Sequence, residues 1–163
     1  ITRLHILLGK EPQEYAVEYG PSSQFVLPAK SESETKILTK DEEEKEKKEL
    51  KELNNKFARI SEFQESNKEL DQNTKIVAIG FSGNKDLQKN GEISIYTYPT
   101  GEKDEVFIVL AQDQTVATIS TEAFSSKILH NYYHLDNSNE KELQEAYDKK
   151  AKELFDEWLK GRK

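Results

Sequence analysis

Glu105–Ala111, EVFIVLA, limits more than any other stretch what this chain can become. Read with the two-residue period of a strand, Val106, Ile108 and Leu110 point one way, and Phe107, Val109 and Ala111 the other. A strand that is apolar on both faces needs cover on both, which places it inside a sheet. Its neighbours supply the rest of that sheet. Glu92–Tyr98 alternates, with Ile93, Ile95 and Thr97 against Ser94, Tyr96 and Tyr98, as a half-buried strand does. Tyr98-Pro99-Thr100-Gly101 then turns the chain, with Pro99 fixing φ and Gly101 free to take a positive one. Gln112-Asp113-Gln114 reverses it again into Thr115–Ser120, rich in β-branched residues. Ile76–Phe81 is a fourth candidate strand, closed by Ser82-Gly83-Asn84.

Helices are expected on either side of this sheet. Thr39 is placed to cap a helix beginning at Lys40, with Glu42 at the capping-box position. Acidic residues lead from Asp41 to Glu44 and lysines follow, an order that suits the helix dipole. Leu50, Leu53, Phe57 and Ile60 then follow a 3-4-3 spacing, so the spacing predicts a long charged helix over Lys40–Phe63, ending near Ser66-Asn67. Ser31–Thr39 reads as a linker. Nearer the start, Ile1–Gly9 is apolar and reads as a strand or a first helical turn. Gln13–Tyr19 reads as a short helix between Pro12 and Gly20-Pro21, and Phe25-Val26-Leu27 as a short edge strand. Beyond the sheet, Phe124, Ile128 and Tyr132 fall four apart and predict a short helix within Ala123–Leu135. Leu143, Tyr147, Leu154 and Trp158, joined by Ala146, Ala151, Phe155 and Leu159, predict a C-terminal amphipathic helix capped by Asn137. The fold class expected is therefore α+β. It is a single domain over residues 1–163 with a small antiparallel sheet of three to four strands, and residues 31–73 form a linker and charged helix inserted before it.

The opening has a further likeness. Gly9, the segment containing Tyr15, and then Tyr19-Gly20-Pro21-Ser22 resemble a pattern in small bacterial envelope domains of the β-lactamase-inhibitor-protein and outer-membrane assembly lipoprotein type. There a glycine precedes a helix and a Gly-x-Pro turn leads to antiparallel strands, places that Ile95–Tyr98 and Val106–Ile119 would fill here. This chain departs from the pattern in lacking the residue between Gly20 and Pro21, in having no Trp in the strand, and in the insertion Ala29–Asn73. The resemblance implies a binding or scaffold domain rather than an enzyme.

Composition narrows the function classes. The net charge is −7, and the cations are nearly all lysine, with Arg3, Arg59 and Arg162 the only arginines. Nucleic-acid affinity rests on phosphate neutralisation and on Arg forks, so nucleic acid is an unsuitable partner. The chain has neither Cys nor Met, which removes disulfides and thiolate metal sites. The missing Met reads as a processed or trimmed chain. Lys-, Asn- and Glu-rich sequences without Cys accord with envelope proteins of low-GC Gram-positive bacteria, and with a leader or lipid anchor removed. The expected location is extracytoplasmic, at the cell surface or secreted, and no apolar run reaches membrane-spanning length.

The chemistry-bearing patterns are few. His130 and His134 would share a helix face, but zinc needs a third ligand, and Asn131, Tyr132 and Tyr133 between them hold no glutamate base. Gly80-Phe81-Ser82-Gly83 lacks the glycine two residues after the serine that a nucleophile elbow requires. No cofactor or metal is expected. Tyr96, Tyr98, Tyr132 and Tyr133 are the candidate ligand-binding residues, an aromatic patch for a protein or cell-wall ligand. The expectation is a non-enzymatic envelope binding or scaffold domain. The alternatives are a metal-dependent hydrolase fragment using His130 and His134, or a helix-mediated protein-interaction module built on the charged helix.

Overall fold

The computed structural model describes residues 1–20, 48, 51–136 and 140–161. These form two antiparallel sheets and one long helix, in three layers. The strands are β1 (Thr2–Leu7), β2 (Glu14–Tyr19), β3 (Ala58–Arg59), β4 (Lys68–Glu69), β5 (Lys75–Phe81), β6 (Glu92–Thr97), β7 (Val106–Gln112), β8 (Thr115–Thr121) and β9 (Ile128–His134), and the helix is α1 (Glu140–Lys160). The first sheet runs β3-β2-β1-β6, with β4 also on β2; the second runs β5-β7-β8-β9.

The expected α+β arrangement around one small sheet of three to four strands is corrected on four points. The strands form two sheets, and Glu92–Thr97 pairs with β1 in the first rather than joining the sheet of Val106–Gln112. Gln13–Tyr19 is not a helix: β2 pairs with β1 along its whole length, from Thr2 with Tyr19 to Leu7 with Glu14. Ala123–Leu135 is not a helix either, since Ile128–His134 is a strand paired with β8. Of the helix expected over Lys40–Phe63, residues 40–47, 49 and 50 lie outside the described residues, as do the linker and the Phe25–Leu27 bead. Within the described residues helical structure ends at residue 54. Phe57 instead crosses to the first sheet, where its ring lies 4.1 Å from the Arg3 guanidinium and 6.1 Å from the Tyr96 ring. Ala58 and Arg59 add to the edge of β2, and Ser61–Phe63 is a single 3-10 turn. The fold is thus mostly β. Tertiary pairing overrode local pattern, as it commonly does where helix propensity is the only support.

The run apolar on both faces lies inside its sheet, between β5 and β8. One face of that sheet carries Phe107, Val109, Ala111 and Val116 and is covered by Tyr147, Ala151, Leu154 and Phe155 of α1. The other face meets the first sheet, where Ile6, Leu8 and Ile93 pack against Ile76 and Ile79. A bulge in β5 serves both layers. The register shifts between Ile76 and Ala78, so Val77 and Ala78 both turn toward the helix while Ile76 and Ile79 turn toward the first sheet. At Gly80 the same strand leaves room for Phe155: a Cβ there would sit 2.2 Å from that ring.

The two sheets are stapled by a side chain. Gln13 is buried, its Nε2 donates to the Ile76 carbonyl at 3.0 Å, and its Oε1 accepts from the Ile76 N–H at 2.6 Å. One amide thus replaces a neighbouring strand at the outer edge of β5. On the far face of the first sheet Arg3 is buried as well, bonded to Glu18 at 2.6–2.7 Å and to Asn54 Oδ1 at 2.6 Å. A buried guanidinium is tolerated only when partnered this fully. Gly101 closes the β6–β7 connection at φ +87°, as its place after Pro99-Thr100 predicts.

Candidate functional site

The first sheet is too narrow to cover the second. Its contacts reach Phe81, Ile108 and Leu110 and stop there. The same face continues across β8 and β9 with nothing over it among the described residues. Register fixes which side chains line it: Leu110 opposes Ala117, which opposes Tyr132, and Ile108 opposes Ile119, which opposes His130. The small Ala117 between two large neighbours makes the floor of a hollow. Its volume is about 540 Å³, and Leu110, Ala117, Ile119, Ile128, His130 and Tyr132 are among its walls. The His130 and Tyr132 rings meet edge to face at 5.9 Å.

The surroundings are apolar and open. Tyr132 is 71% exposed and Ile128 60%. From Ile128 to Leu135 there is no Asp, Glu, Lys or Arg, in a chain of which 34% is charged. Exposed apolar surface of this kind marks interaction sites more often than not, because a solvated strand gains nothing from it. A second, larger hollow of about 820 Å³ lies near Leu8, Pro12, Asp71, Lys75, Lys89 and Asp148. Lys89 there pairs with Asp148 at 2.9 Å, and Lys75 donates to the Gln144 amide oxygen at 3.3 Å.

The four candidate tyrosines are not brought together. Tyr96 is buried on the far face of the first sheet against Phe57. Tyr98 follows it, its hydroxyl pushed up to about 12 by burial and by the nearby Asp104 carboxyl. Tyr133 points to the helix side of β9, beneath Lys150. Tyr132 alone stands in the open hollow. His130 and His134 share a face, but along a strand four residues span roughly 13 Å, so they form no chelating pair. Among the described residues no three His, Asp or Glu side chains gather as metal ligands do. Sequence reading passed over Leu110, Ala117, Ile119 and Ile128 as ordinary core. The available signal was the run 128–135, free of Asp, Glu, Lys and Arg, which carries apolar residues on both strand faces.

Fold and site together define a two-sheet β domain backed by a long C-terminal helix, with an apolar face and a strand edge that no described residue covers. Comparison with family models, curated proteins and solved structures gave no match. Among the described residues no helix is long and apolar enough to cross a membrane.

Proposed function

We propose that the chain is a non-enzymatic, extracytoplasmic binding or scaffold domain of a bacterial envelope protein, and that its ligand is a protein segment seated on the open β8–β9 face. The observation that carries this is the hollow itself: an apolar floor and walls at Leu110, Ala117, Ile119 and Ile128, rimmed by His130 and Tyr132, on an exposed and uncharged strand. Such a surface suits an apolar side chain of a peptide, with the His and Tyr rim for orientation. Thr74, Gln112, Asp113, Thr115 and Thr118 also line the hollow, but most of its exposed lining is apolar, which favours a peptide side chain over a cell-wall glycan. The Lys-, Asn- and Glu-rich, Cys-free sequence supports the envelope reading, and the acidic, Arg-poor composition disfavours nucleic acid.

A photo-crosslinking residue placed at Tyr132 in cells that make the protein tests the reading, with Glu62, exposed and remote from the hollow, as the control position. The expected result is an adduct with a different envelope protein from position 132 and none from 62. Equal labelling from both positions, or adducts confined to cytoplasmic proteins, would overturn it.

A further inference from the structure

The two edges of the second sheet are treated differently. On β5, the outward backbone groups of Ile76 are taken by the Gln13 amide, and those of Ile79 by Gln88, both bonds 2.8 Å. On β9, Leu135 N–H donates to Gln114 C=O at 2.7 Å, which sets the phase of the ladder with β8. The backbone N–H and C=O of Ile128, His130, Tyr132 and His134 therefore point away from β8. No described residue bonds to them. Edge strands are ordinarily guarded by a lysine, a proline, a bulge or a short length. β9 has seven residues, an unbroken register, and neither charge nor proline.

We infer that two copies of this chain join edge to edge through β9, antiparallel about a two-fold axis at Asn131, making one continuous sheet of their two four-stranded ones. A two-fold interface must be self-complementary, and β9 meets that condition. Centred on Asn131, Ile128 of one copy opposes His134 of the other, and His130 opposes Tyr132. Each of these residues has its hydrogen-bonding groups outward, so roughly eight backbone bonds form. A centre moved along the strand leaves one of these pairs without its mate. Charge agrees with the antiparallel sense. Lys127 stands just before the strand and Asp136 just after it; in this register Lys127 faces Leu135 of the other copy, one residue from its Asp136, so opposite charges flank each end of the seam. No like charges meet along the strand, which matters for a chain of net charge −7. The axis stands perpendicular to the sheet, so both open hollows lie on one side and merge at the centre. The pairing is independent of the ligand reading, since it uses the edge of β9 and the ligand uses its face.

Sedimentation of the purified chain over a concentration series tests it. The expected result is a monomer–dimer equilibrium. His130→Lys/Tyr132→Lys sets lysine against lysine across the axis and should weaken association by about a hundredfold, with the urea midpoint kept as evidence of folding. Lys127→Glu alone and Asp136→Lys alone should each weaken the dimer, and the two together should restore it. A monomer at every concentration, a dimer indifferent to the lysine pair, or a double charge swap that restores nothing would each overturn the proposal. If the lysine variant fails to fold, hydrogen exchange on the native chain decides. The amides of Ile128, His130, Tyr132 and His134 should exchange slowly when concentrated and fast when dilute, and fast exchange in both would refute the pairing.

Discussion

Gly80→Ala is the sharpest probe of how the helix sits on the second sheet. An added Cβ would lie 2.2, 2.6 and 2.7 Å from three atoms of the Phe155 ring. Ordinary contact begins at 3.4 Å, so the ring would have to retreat by roughly 1.2 Å, against a core packed like a crystal. It has nowhere to go: Phe155 is buried, with Phe107 at 6.0 Å and Trp158 at 5.8 Å between ring centroids. Overpacking of this kind costs about 1–3 kcal/mol, and a rigid aromatic stack puts the expectation at the upper end. With a urea m-value near 2 kcal/mol/M, the midpoint should fall by about 1–1.5 M. Phe155→Leu leaves space where the ring was and is itself destabilising, by about 1–3 kcal/mol. In the double variant the new methyl enters that space, so the two losses should fall well short of additive, by 1 kcal/mol or about that. A wild-type midpoint for Gly80→Ala, or strict additivity in the double variant, would refute this packing of α1 on β5.

Val109→Ala should cost about 2–3 kcal/mol, because Val109 is fully buried under α1, whereas Leu110→Ala should cost about 1 kcal/mol, because Leu110 borders the open hollow; urea midpoints give the order, and a larger loss at Leu110 would mean that face is covered. Gln13→Leu strands the N–H and C=O of Ile76 and should cost about 1–3 kcal/mol, with the Ile76 amide losing its slow exchange. Asp104 is buried, accepts from the Tyr96 N–H at 2.8 Å, and is held above its ordinary 3.8 by burial, with Glu102 adding to it. The folded state then binds the proton more tightly than the unfolded one, so stability falls as pH rises from the ordinary aspartate value through the raised one. Asp104→Asn keeps an acceptor for Tyr96 and should remove that fall, leaving the variant at least as stable as the native chain in thermal melts at pH 7; a clear loss there would mean that the carboxylate has a compensating cation.

Periodicity explains which elements were legible. A separation of four residues is even, so it keeps two side chains together on a strand as well as on a helix. Tyr15 with Tyr19 and Phe124 with Ile128 and Tyr132 satisfy both patterns, and both segments contain strands, β2 and β9. Separations of three are odd and break the tie, since on a strand they throw residues to opposite faces. Ala151, Leu154 and Trp158 show such a break, and α1 forms there. Leu50, Leu53, Phe57 and Ile60 show it too, yet helix stops at residue 54 because Phe57 gains more by covering Arg3 and Tyr96 than by staying in line. The candidate site was less legible still. Tyr132 stands out by its aromatic character alone, whereas Leu110, Ala117, Ile119 and Ile128 read as core in any one-dimensional pattern, and only the width of the first sheet leaves them without cover among the described residues.

By itself the sequence determined the local conformations with a single physical solution: the strand β7, apolar on both faces, the alternating β6, the turn at Gly101, and the C-terminal helix whose odd and even spacings fit no strand. Tertiary structure alone decided that β1 lies between β2 and β6, that a glutamine amide takes a strand's place on β5, and that the other edge of that sheet, on β9, has no partner among the described residues. These depend on pairings between residues far apart in the chain. The backbone groups of every residue are nearly alike, so which strand meets which is settled by how the faces pack once the whole chain is folded.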